Sequence, residues 1–207
     1  MNMQVNRGTI MFEYMKLQRT MCYGTCPVYS VTVDNEGNVN YSGEMFVYKS
    51  GEHHWKISGK KVNQLNDLIE DFGFKSFIYE PGYEFITDGP SCITTIKYSD
   101  GATKEINHYY GHVLIDDSLT AFEKNIERII GTKKYVNPRL YIYQVEEKAQ
   151  EPLIRYMVIS ASEKEAIDLI EKDYPKRQPL EWRVHKIGIA TDDYCGRIII
   201  MKNSKES

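Results

Sequence analysis

Two thiols, Cys22 and Cys26, stand with three residues between them in Met21-Cys22-Tyr23-Gly24-Thr25-Cys26-Pro27. That spacing leaves metal binding, dithiol cycling and a structural disulfide open. Each makes its own demand. A zinc site needs a second ligand pair, which His108 and His112, spaced H-x-x-x-H around Tyr109-Tyr110-Gly111, would have to supply. Thioredoxin-like exchange uses two intervening residues before a helix, whereas here three precede a strand. A nucleophilic centre would take Cys22 or Cys26 as nucleophile, His108 or His112 as base and Asp88 as orienting carboxylate, all offered by loops. The plainer readings are small buried thiols tightening a turn, histidines exposed at a strand end, and an Asp88 that bonds its own backbone within Thr87-Asp88-Gly89-Pro90. The plainer set is preferred, so neither a metal nor a cofactor is expected.

Aromatic loop residues form a second group. Tyr79, Tyr83 and Phe85 fall in one Pro- and Gly-rich stretch, Tyr109 and Tyr110 in another, and Tyr23 between the thiols. Converging, they would make an aromatic pocket or an interface hot spot, and they are the expected binding residues. The chain contains no G-x-x-x-x-G-K-[ST], no G-x-G-x-x-G after a strand and no G-x-S-x-G, so the backbone cradles that need glycines at fixed positions are missing. His53 and His54 sit in a strand-like segment, where they face solvent and the partner strand rather than bind metal, and His185 alternates within a late strand as a surface or satisfied core residue.

The elements that must carry these residues follow from local pattern. Alternation predicts strands at 8–17, 28–34, 38–42 and 44–48, with Asn35-Glu36-Gly37 as a hairpin turn. Ser58 can cap a helix in which Val62, Leu65, Leu68, Ile69 and Phe72 repeat at three and four, and Gly73 ends it. A second hairpin, 92–98 and 103–108, turns through Ser99-Asp100-Gly101. Leu119, Phe122, Ile126, Ile129 and Ile130 face a second helix that starts at Asp116 or Asp117 and stops at Gly131. The fold class expected is α+β: an antiparallel sheet with two packed helices over 8–134, then a small ββαββ module over 138–203 and a polar tail at 204–207. The module's helix opens on the capping box Ser162-Glu163-Lys164-Glu165.

Composition sets the outer limits. The 207 residues carry a net charge of −3, and neither half of the chain has the Lys/Arg stripe that nucleic-acid binding leaves. No apolar run reaches the roughly 20 residues of a membrane span, so neither nucleic acid nor membrane is expected as partner. The first residues lack an apolar signal region, which predicts a cytoplasmic location with mostly reduced cysteines. In an oxidising compartment Cys22 and Cys26 could bridge.

The stretch Cys22-Tyr23-Gly24-Thr25-Cys26-Pro27-Val28-Tyr29-Ser30-Val31 resembles the signature C-[FY]-G-x-C-P-x-[FY]-x-[VL] of an uncharacterised bacterial domain family, and the likeness runs on for about 110 residues. It takes in the 33–43 hairpin, Leu65 and Leu68, Thr87-Asp88-Gly89-Pro90, and Tyr110-Gly111. The resemblance implies a fold and a set of positions, without a chemistry. It also implies exported relatives, from which this N-terminus departs. The C-terminal module is similar to small α+β modules of phage and mobile-element proteins, through its S-x-x-E-A helix. The function expected is therefore a non-enzymatic binding protein for a protein partner or a small molecule, of the kind by which a phage or mobile element sequesters a host component. A thiol- or metal-dependent enzyme and a structural assembly protein are the alternatives.

Overall fold

The structure, a computed structural model, describes residues 11–81, 87–111, 117–147, 154–175, 181–190 and 198–202. The chain divides into two compact units, Met1–Asn137 and Pro138–Ser207. Its class is α+β.

Unit one begins with an antiparallel meander: β1 (Phe12–Arg19), β2 (Val28–Asp34), β3 (Asn38–Met45) and β4 (Gly51–Lys56). The β2–β3 turn forms because Asp34 caps it from inside. Its carboxylate accepts from the backbone of Glu36 at 3.0 Å and of Asn38 at 2.8 Å, while Gly37 takes a φ of +83°. The sequence reading placed a strand at 44–48; instead β3 runs on to Met45, and the next strand is the His53-His54-Trp55 segment, which was read as strand-like. Phe46 adopts a φ of +54°, so the chain leaves extended geometry there.

Helix α1 (Gly59–Phe72) then crosses to β5 (Ser91–Tyr98), which pairs with β6 (Thr103–Tyr109) and returns to lie beside β1. The resulting order is β4-β3-β2-β1-β5-β6. Ser58 is the N-cap of α1 by backbone but makes no side-chain cap bond, and Gly73 closes the helix in the left-handed region. Asn66, buried on α1, accepts from the Phe12 backbone N–H at 3.1 Å and so locks the helix to β1. Helix α2 (Asp117–Ile130) ends at Gly131, φ +89°, and the short α3 (Lys133–Val136) follows. The core lies between the sheet and the helices, with Met15, Leu17, Val31, Tyr41 and Ile96 on the sheet side and Leu65, Leu119, Phe122 and Ile126 on the helix side. The strands alternate about this core, so every second residue faces the helices. No helix among the described residues is long and apolar enough to cross a membrane.

Unit two carries β7 (Tyr141–Glu147), β8 (Ile154–Ser160), α4 (Glu163–Asp173), β9 (Trp182–Ile189) and β10 (Ile198–Lys202). They form a four-stranded sheet ordered β10-β8-β7-β9. The helix is capped as the sequence suggests, with one shift: Ser162 Oγ accepts from the Glu165 backbone at 3.2 Å, and Glu165 reaches back past the cap to the Ala161 N–H at 3.0 Å. Val145, Tyr156, Val158, Ala166 and Ile170 make its core.

Candidate functional site

One cross-strand row builds the site. Tyr29 of β2 pairs with Arg19 of β1, Arg19 with Cys92 of β5, and Cys92 with His108 of β6. Because the strand period is two, all four side chains share the helix-facing side with Leu17 and Met15. Helix α2 lowers two carboxylates onto that row. Glu123 and Glu127 are one turn apart, and Glu123 sits on the apolar stripe between Phe122 and Ile126.

The contacts are continuous. Arg19 Nε donates to Glu127 Oε1 at 2.9 Å, and Arg19 Nη1 donates to the Tyr110 hydroxyl, which in turn donates to Glu123 Oε2. The Tyr29 hydroxyl donates to Glu127. His108 presents Nδ1 to both oxygens of Glu123, at 3.1 and 3.2 Å, and since a carboxylate only accepts, that nitrogen carries the proton. Glu123 and His108 are completely buried, and the Arg19 and Glu127 side chains are 13% and 18% exposed. Burial opposes the Arg19 charge, but the neighbouring Cys92, the bond and charge of Glu127 and Tyr110 together override it and hold the guanidinium pKa above its usual value. Burial, helped by Glu127, pushes the Tyr29 hydroxyl up, and burial together with Glu123 does the same for Tyr110 against the pull of Arg19. Both phenols therefore stay neutral and donate. Burial also raises the Cys92 thiol, which lies within reach of Thr94 Oγ1 at 3.9 Å, so this sulfur is a neutral core group.

Above the network opens a cleft of about 560 Å³. Arg19 and Tyr29 form its floor, and Asp117, Thr120, Lys124 and Glu127 line one side along α2. Thr20, Cys26 and Pro27 from the β1–β2 loop, Pro90, Tyr110 and Val136 complete it. The lining is mostly apolar, with charge at few points, and the volume lies in the range of small-molecule sites. Thr120 Oγ1 is buried and has no hydrogen-bond partner.

The residues expected from sequence fall in several places. Cys22 and Cys26 form a disulfide with Cα atoms 5.7 Å apart. The expectation of reduced thiols is thus corrected, and with both sulfurs bonded neither is free as a nucleophile. Nor are they buried: both are half-exposed, because the turn projects from the sheet end with Tyr23 at 92% exposure. His108, read as an exposed strand-end histidine, is a core residue, since its position in β6 is inward-facing. Tyr79 and Tyr110 do converge, both edge-on to the His108 ring at 5.3 and 4.6 Å. Tyr109 accepts from the Gly89 N–H at 2.8 Å, and Asp88, exposed at φ +67°, accepts at its carbonyl from Tyr23 N at 3.0 Å. His112, Tyr83 and Phe85 lie outside the described residues. Among the described residues no group of three or more His, Cys, Asp or Glu is placed to hold a metal.

Arg19, Tyr29, Glu123, Glu127 and Thr120 were not singled out from sequence. A signal existed for two of them. Glu123 interrupts the apolar stripe of α2, and Arg19 continues the Met15–Leu17 alternation inward; each is a charge where burial demands a partner.

Comparison with known proteins gives a family for this region. The family described as a domain of unknown function, DUF6438, matches residues 13–130, more than half of the chain and the whole of the network. No curated protein and no solved structure matches the chain.

Proposed function

Because the chain belongs to the DUF6438 family, a domain of unknown function, its role has to come from the cleft itself, and we propose that it is a binding protein taking a small, largely apolar ligand there. The observation that carries this reading is the Thr120 hydroxyl. Its Oγ1 is one of three buried hydroxyls without a partner among the described residues, with those of Tyr41 and Tyr98, and of the three only Thr120 belongs to the cleft wall, where a turn about its side-chain bond would bring the hydroxyl to a ligand acceptor. The floor supports the same reading. Arg19, Tyr29 and Tyr110 are held by Glu123 and Glu127 before any ligand arrives, so little ordering is left for binding to cost. Prolines 27 and 90 and the tyrosine rings offer flat apolar surface to a ring-sized molecule. Nothing in the network favours proton abstraction by the phenols, whose protons are held tightly.

A sequestering role for a phage or mobile element rests on the sequence of α4 alone.

The test is a crystallographic soak with a library of ring-containing fragments, followed by calorimetry on the best hit in wild type and Thr120→Val. Fragments should collect between Pro27, Pro90 and Thr120, and Thr120→Val should weaken the hit by about tenfold, the worth of one hydrogen bond at about 1.4 kcal/mol. The melting temperature should not fall, since the hydroxyl lost has no partner to leave behind. Fragments gathering elsewhere would refute the reading.

A further inference from the structure

The disulfide beside the cleft is poorly explained as a staple. It closes a very short loop, for which the gain from restricting the unfolded chain is smallest. Both ends of that loop are already fastened: Arg19 pairs with Tyr29, Thr20 N donates to Ser91 O at 3.0 Å, and Tyr23 N donates to Asp88 O at 3.0 Å. The loop itself is solvated, with Tyr23, Gly24 and Thr25 all exposed. Its two residues are not equivalent with respect to the cleft, because Cys26 belongs to the lining and Cys22 does not.

We propose that Cys22–Cys26 is an exchange-active disulfide whose substrate is a low-molecular-weight thiol entering the cleft. The incoming thiolate attacks Cys26 Sγ. A bond forms between the ligand sulfur and Cys26, the Cys22–Cys26 bond breaks, and Cys22 departs as a thiolate that takes a proton from water. A second thiolate then attacks the ligand sulfur of the mixed disulfide, so that the ligand leaves as its own disulfide and Cys26 is freed. Two thiols are oxidised and the protein pair gains two electrons. Of the charges lining the same cleft, Lys124 favours approach of the anionic sulfur and Asp117 opposes it, while Glu127 is already bonded by Arg19 and Tyr29. Among the described residues the remaining thiol, Cys92, stays out of the reaction because it is buried and neutral, and Cys195, outside the described residues, is followed separately in the mass map.

This proposal rests on the cleft being open to ligands, though not on the fragment result. The experiment uses the oxidised full chain with millimolar reduced glutathione as probe, quenched in acid and mapped by mass spectrometry. A mixed disulfide on Cys26 with Cys22 free and Cys92 unmodified is expected, and Cys22→Ser exposed to glutathione disulfide should accumulate the same Cys26 adduct. The proposal is overturned by an adduct confined to Cys22, or by a native disulfide that glutathione leaves intact while reducing it in denaturant. If fragments fail to bind yet the Cys26 adduct forms, the ligand reading fails and the exchange centre stands.

Discussion

Replacing Arg19 by Met keeps most of the side-chain volume and removes the single guanidinium that faces two carboxylates. Glu123 is then left with no exposure and only the Tyr110 and His108 donors, and Glu127, 18% exposed, with only Tyr29. Breaking a buried pair from one side costs about 3–5 kcal/mol, because the remaining charge stays out of water. An exposed pair would lose about 1 kcal/mol or less. For a domain of this size a loss of 3–5 kcal/mol lowers the melting temperature by roughly 10 °C. Near-UV circular dichroism would follow it, with Arg19→Met/Glu123→Gln/Glu127→Gln as the control. Removing the stranded charges as well should recover at least half of the deficit. A single variant that loses under about 1 kcal/mol, or a triple variant that recovers nothing, would refute the claim that charge compensation organises this floor.

Gly89→Ala should destabilise unit one by about 1–3 kcal/mol in urea melts, since a Cβ there would lie 2.9 Å from the Gly111 backbone and no flexible side chain can yield. Asp34 gives a pH test. Burial works against its charge, but the bonds from Asn38 and Glu36 win and its folded pKa is lowered. Its contribution is therefore present above the unfolded carboxylate pKa of about 4 and is lost as the pH falls through the lower folded value. Asp34→Asn should accordingly cost stability at neutral pH and almost none near pH 2, and equal losses at both would count against the assignment.

Much of unit one was legible locally. Asn35-Glu36-Gly37 and Ser99-Asp100-Gly101 announce their hairpins, and Gly73 and Gly131 end helices whose apolar faces repeat at three and four. The segment 51–56 was read as strand-like but its inward side was not, since its Glu, His and Lys carry no apolar alternation; His53 and Trp55 both pack on Tyr135, at 5.1 and 4.5 Å. The site was the least visible part. Its row depends on β1 pairing with β5, a register that no local pattern encodes, and its helix residues are read correctly only once that row is in place. The expected location favoured reduced cysteines, while the bond depends on a Cα separation that only the folded turn supplies.

The spread of the network along the chain sets when it can exist. Arg19 meets Glu127 across a separation of 108 residues and Tyr29 meets the same carboxylate across 98. Contacts between such distant partners come late, since the intervening chain must be gathered before they return any free energy. A ribosome-bound chain that has made the first meander but not α2 would display Arg19 and Tyr29 on an open sheet, with no cavity above them. Ligand capacity therefore arrives with α2 and the short α3 that follows it, so a chain truncated before them offers a ligand no cleft.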